Sequence, residues 1–214
     1  MERKSIVWDS MFGCKVNNIL YRQQADTKSL AVLFPGRGYT CVKPLLHYAV
    51  MAAMEHGMDV LCLEYGFYQA EAEFTASDIV PFANELCGIL RAAGVANYQE
   101  LFFISKSLGT VLAGEAAQEF QKQTVHQLFL TPVERTLPFL LRAPAYTILG
   151  TADDAFPAHC LEQVRDLGHC KITLIPNADH SLETEEGVEK NLAIMREIAT
   201  VYRSFLKQRI RERF

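Results

Sequence analysis

Residues 100–110 read ELFFISKSLGT. Glu100 to Ile104 is a short apolar run of the length and aromatic content of a buried strand, and an alanine-rich helical pattern runs from Leu108 to Phe120. Only Ser105, Lys106 and Ser107 separate the two. The segment is therefore a strand, a sharp turn and a helix, with Ser107 at the apex. The same alternation extends outward in both directions. Lys15–Tyr21, Leu30–Phe34, Asp59–Leu63, His126–Leu130, Ala145–Leu149 and Cys170–Ile175 read as strands, and Pro44–Glu55, Ser77–Ala93, Phe156–Asp166 and Gly187–Arg209 as helices. Pro44 suits a first helical turn, and Gly57 and Gly94 suit positions just past a helix end. Strands alternating with helices predict an α/β fold, with a mostly parallel central sheet covered by helices on both faces. Glycines and prolines fall singly between the periodic segments, as expected for one domain over residues 1–214.

Composition narrows the function. Half of the 214 residues are hydrophobic and 21% are charged, enough apolar surface for a sizeable core. The longest unbroken apolar run, Tyr48 to Met54, falls far short of the roughly 20 residues of a membrane span. The N-terminal MERKSIVWDS has charges but no apolar stretch behind them, so no secretory signal is visible and a cytoplasmic location is expected. A net charge of −4 offers no basic field for nucleic acid. Six scattered cysteines without a CxxC motif read as small buried hydrophobes. The pairs His159-Cys160 and His169-Cys170 have the donor types of a metal site, but neighbouring residues point in different directions in a helix or strand, so no metal is expected.

In an open parallel sheet, ligands sit at the carboxyl ends of the strands. Four loops there carry chemistry. The turn at Ser107 has the strand-turn-helix setting of a nucleophile elbow, G-x-S-x-G. Gly109 supplies the small residue after the serine, and Ser105 stands in place of the glycine before it. Serines near helix starts also serve as caps. Gly150-Thr151-Ala152-Asp153-Asp154-Ala155-Phe156-Pro157 follows the strand ending at Leu149 and offers two competing acids in what is equally a turn and N-cap pattern. Pro176-Asn177-Ala178-Asp179-His180-Ser181 follows the strand ending at Ile175 and offers a histidine. Pro35-Gly36-Arg37-Gly38-Tyr39 follows the strand ending at Phe34, and its glycines let a main-chain amide turn toward the site. Serine, acid and histidine occur in that order along the chain, each at a strand end.

From about Leu30 to the C-terminus the sequence resembles the α/β-hydrolase superfamily, in particular its small lidless members similar to dienelactone hydrolases and carboxylesterases. GTADDAFP and NADHSLE resemble that family's acid and histidine loops. The family's usual spacing, an acid three residues after the glycine and four before the proline, selects Asp153 over Asp154. PGRGY resembles the His-Gly-x-Gly loop of esterases, with Pro35 where histidine is usual.

The resemblance implies a serine hydrolase acting on a small-molecule acyl ester or thioester without a cofactor. Ser107 would be the nucleophile, His180 the base and Asp153 its orienting acid, with the main-chain amides of Arg37 and Leu108 as an oxyanion hole. Tyr39, Tyr65 and Phe67, with Tyr68 beside them, are expected either to wall the substrate pocket or to pack beneath a loop, and Lys106 is expected to turn its side chain away. The Arg37 side chain offers a partner for a substrate carboxylate. Only Thr131 to Pro144 lies between the strands that bracket a cap in many such enzymes, room for about one helical turn at Leu137–Leu141 and for no cap domain. The other readings are an amide or peptide hydrolase, and a catalytically silent binding or scaffold protein on the same fold.

Overall fold

A computed structural model describes residues 1–23 and 27–208. Eight strands form a single sheet in the order β1-β2-β4-β3-β5-β6-β7-β8. They are β1 (Glu2–Asp9), β2 (Lys15–Arg22), β3 (Ser29–Phe34), β4 (Asp59–Cys62), β5 (Glu100–Lys106), β6 (Thr124–Leu130), β7 (Ala145–Gly150) and β8 (Cys170–Ile175). The pairs β1–β2 and β2–β4 are antiparallel, and every pair from β4 across to β8 is parallel. Strand β1 has no counterpart in the sequence reading. It lies on the sheet edge with mostly exposed side chains, so it carries little of the apolar pattern that marks a strand.

The helices are α1 (Pro44–Glu55), α2 (Gly66–Gln69), α3 (Ile79–Ala92), α4 (Leu108–Ala117), α5 (Leu137–Arg142), α6 (Ala158–Arg165) and α7 (Val188–Leu206). Alternate residues of β5 divide the core. Leu101 and Phe103 pack with α3 and α4 on one face, while Phe102 and Ile104 pack with α1 and α7 on the other. A third cluster, with Phe129 and Leu149 at its centre, fills the space under α5 and α6. Burial on both faces explains why the central strands are continuous apolar runs.

Two boundaries differ from expectation. The helix expected from Ser77 starts at Ile79, after a 3₁₀ turn at Ala76–Asp78 capped by Thr75: the Asp78 carboxylate accepts from the Thr75 amide and hydroxyl, both at 2.7 Å. The last helix, expected to reach Arg209, is described to Leu206, and Arg209 lies outside the described residues. Between β6 and β7 the chain forms only a 3₁₀ turn (Glu134–Thr136) and the six-residue α5, and no cap domain. No helix among the described residues is long and apolar enough to cross a membrane.

Candidate active site

The turn after β5 is tight. Ser107 has φ +53°, a backbone conformation that side chains other than glycine rarely adopt, and α4 starts at the next residue. Its amide donates to the carbonyl of Leu130 at the end of β6, which anchors the turn to the sheet. Gly109 is required by proximity, since a Cβ there would collide with the carbonyl oxygens of Phe34 and Pro35. Ser105 is fully buried, and its hydroxyl is satisfied by donating to the Leu128 carbonyl at 3.2 Å.

The loops after β7 and β8 are bonded to each other. The amides of Thr151 and Ala152 donate to the carbonyls of Ile175 and Ala178, both at 3.0 Å. A Cβ on Gly150 would strike the Ala178 carbonyl, so only glycine permits this approach. The contact brings the acid and the histidine together. His180 Nδ1 lies 2.8 Å from Asp153 Oδ2, and His180 Nε2 lies 2.8 Å from Ser107 Oγ. A carboxylate only accepts, so Nδ1 carries the proton and Nε2 accepts from the serine hydroxyl. Asp153 Oδ1 accepts from the Ala155 amide at 2.9 Å, and its side chain is 1% exposed. Asp154 is exposed and takes no part in these bonds.

The loop after β3 abuts the elbow. Gly36 and Tyr39 exchange main-chain hydrogen bonds at 3.1 and 3.3 Å, placing Arg37 at the tip. A Cβ on Gly36 would stand 3.2 Å from the Ser107 Cβ. Among the described residues the amide of Arg37 meets no protein acceptor, and that of Leu108, first in α4, has none within its helix.

Lys106 does not reach Ser107 by a hydrogen bond or line the hollow that opens there. Its side chain is buried, and Nζ donates to Thr131 Oγ1 and to the His180 carbonyl, both at 2.9 Å, and lies 4.8 Å from the Tyr39 ring centre. Burial lowers its pKa to about 8, against the opposing pull of Asp153 and Asp179. Thr131 itself has φ +42°, a strained position at the end of β6.

The hollow beside Ser107 has a different lining from the one expected. A hollow of about 300 Å³ opens at Ser107, walled by Phe74, Ile79, Leu108 and Val133 and flanked by Arg37 and Arg135. Tyr65 and Phe67 belong instead to an aromatic core cluster with Phe74 and Phe82, because α2 folds inward where an open loop is expected. Tyr39 is also outside the hollow: its hydroxyl accepts from the Leu45 amide and its ring underlies Lys106. Tyr68 is exposed and lines a separate hollow of about 560 Å³ beside β2. The signal for Val133 and Arg135 lay in their position just past the carboxyl end of β6.

The histidine-cysteine pairs do not diverge. His159 Nε2 lies 3.3 Å from Cys160 Sγ and 3.4 Å from Glu134 Oε1, and His169 Nε2 and Cys170 Sγ both meet the Leu140 carbonyl. Flexible χ angles let adjacent side chains converge although their Cβ atoms do not. Glu134, His159 and Cys160 have the donor types for a metal, with Glu134 and His159 exposed.

The sequence matches no protein-family model and no curated protein. Its structure resembles an α/β serine hydrolase without a lid from Xanthomonas campestris, with TM-score 0.71 and 14% identity over 97% of this chain and 94% of that one. It also resembles a dienelactone hydrolase from Anabaena variabilis (TM-score 0.70, 18% identity, 98% and 99% covered). An esterase from Pyrococcus furiosus is similar too, with TM-score 0.70 and 11% identity over 97% and 92% of the two chains. The chain has the α/β-hydrolase fold, in a form without a lid.

Proposed function

We propose that the protein is a serine hydrolase that cleaves a carboxylic ester or thioester of a small or compact acyl group. The observation that carries this reading is the unbroken relay from Ser107 through His180 to Asp153, with 2.8 Å at each step. The fold shared with esterases and a dienelactone hydrolase supports it.

In the proposed reaction Ser107 Oγ attacks the acyl carbon while His180 Nε2 takes its proton. Asp153 holds the imidazole in the required tautomer and stabilises the imidazolium. The amides of Arg37 and Leu108 receive the oxyanion, and the start of α4 adds its dipole. One such donor is worth about 3–4 kcal/mol of barrier. Collapse of the tetrahedral species breaks the bond to the leaving oxygen or sulfur, which departs with the proton from His180. Water then repeats the sequence on the acyl-enzyme, releasing the acid and restoring the serine. The chemistry uses side chains and amides of this chain alone. The six cysteines are free thiols, which fits a reducing compartment such as the cytoplasm.

The test is hydrolysis of a panel of short acyl esters and thioesters by the purified protein. Turnover that disappears in Ser107→Ala supports the reading, and a panel with no turnover above background opposes it.

A further inference from the structure

Among the described residues, the charged side chains that line the hollow at Ser107 are two arginines, in a chain whose net charge is −4. Arg37 and Arg135 approach it from different loops, one after β3 and one after β6. Arg37 is already oriented, its Nη2 donating to the Phe74 carbonyl at 2.6 Å, which leaves the other guanidinium hydrogens available. Among the described residues neither arginine has a carboxylate within 4.0 Å. The nearby acids are engaged elsewhere. Asp78 is held by Thr75, Glu134 faces His159, and Glu115, in an adjoining hollow that shares Ile79 and Arg135, accepts from Gln118. Most of the remaining wall is apolar, through Phe74, Ile79, Leu108 and Val133, and the hydroxyl of Thr75, which also lines it, is taken up by Asp78.

A pair of unpaired guanidiniums beside apolar surface matches an anion joined to a short hydrocarbon segment, since guanidinium binds carboxylate or phosphate through paired N–H donors. We propose that the substrate is an ester or thioester carrying an anionic group, held by Arg37 and Arg135 while its carbonyl lies at Ser107. This rests on the serine-hydrolase reading and adds the substrate's charge to it. The anion has two chemical sources: a second carboxylate on the acyl part, or a carboxylate or phosphate on the leaving part.

The experiment compares charged and uncharged substrates of matched length. On the acyl side these are p-nitrophenyl half-esters of four- to eight-carbon dicarboxylic acids against their methyl-capped forms. On the leaving side they are acetyl esters of hydroxybenzoate against those of its methyl ester. A charge preference of about tenfold or more in kcat/KM is expected in one arm. It should shrink in Arg135→Gln and in Arg37→Gln, and also in about 1 M NaCl. The arm that shows the preference identifies the source. Both arginines are exposed, so circular dichroism should show both variants folded.

A binding measurement separates this proposal from the one beneath it. Monomethyl and dimethyl glutarate, and acetoxybenzoate and its methyl ester, are titrated by NMR into Ser107→Ala and into Ser107→Ala combined with Arg135→Gln. Anion-selective binding that needs Arg135 upholds the site even if no ester is hydrolysed. Ester turnover with no charge preference in either arm, or with a preference the arginine variants leave intact, overturns the site and leaves the hydrolase reading standing. Absence of both turnover and anion binding overturns both.

Discussion

The ammonium of Lys106 lies 2.9 Å from the main-chain carbonyl oxygen of His180. The residue before the proposed nucleophile thus ties down the loop that carries the proposed base, and its second bond, to Thr131, fastens both to the end of β6. This costs stability, because the charged side chain is 3% exposed and burial outweighs the attraction of Asp153 and Asp179.

That cost has a pH signature. The pKa of Lys106 falls from 10.5 unfolded to about 8 folded, so between these values the unfolded chain binds more protons and stability rises with pH. The contribution is complete above 10.5 and is lost as the pH falls through about 8. It amounts to about 3 kcal/mol across that window. Lys106→Met removes it. Urea unfolding at pH 7.5 and pH 10 should show the wild type gaining on the variant at the higher pH, and parallel pH dependences would contradict this.

Ser107→Ala should abolish ester hydrolysis with an unchanged circular dichroism spectrum. Ser105→Ala loses one buried hydroxyl bond, at a cost of about 1 kcal/mol in stability, and should keep substantial activity. A dead Ser105 variant beside an active Ser107 variant would mean that the elbow is misplaced.

Asp153→Asn should lower kcat on the order of 10³–10⁴-fold by favouring the wrong imidazole tautomer. Asp154→Asn should change it by less than about twofold, the usual scale for an exposed side chain without partners. Steady-state kinetics of the two variants decides the assignment, and equal losses would contradict it.

With only a 3₁₀ turn and α5 between β6 and β7, there is no lid to open. Rates on p-nitrophenyl esters should favour short acyl chains and show no jump at the solubility limit. A preference for long chains together with such a jump would contradict this.

How much of this is legible in sequence differs by residue. The central strands and α1 are read almost to the residue, since burial on both faces or one helical stripe leaves a clear period. The three site loops are read from their place at strand ends and their spacing. The place of the Lys106 side chain is not legible, because nothing local shows that Thr131 and the His180 carbonyl await it in the fold. For Tyr65 and Phe67 the sequence leaves pocket wall and packing equally open, and α2 decides for packing by turning them into the core. Arg135 escapes notice because its proposed role depends on Arg37 lining the same hollow from a distant loop. Strand β1 escapes because an exposed edge has no pattern to read.

The proposed function requires one serine to be more nucleophilic than every other hydroxyl in the chain. Incubation with a fluorophosphonate, followed by mass spectrometry of the digested protein, identifies it. The expected result is one adduct, on Ser107, that forms in the wild type and is lost when His180→Ala removes the base. An adduct on another residue, or an unmodified Ser107 in the folded wild-type protein, would contradict it.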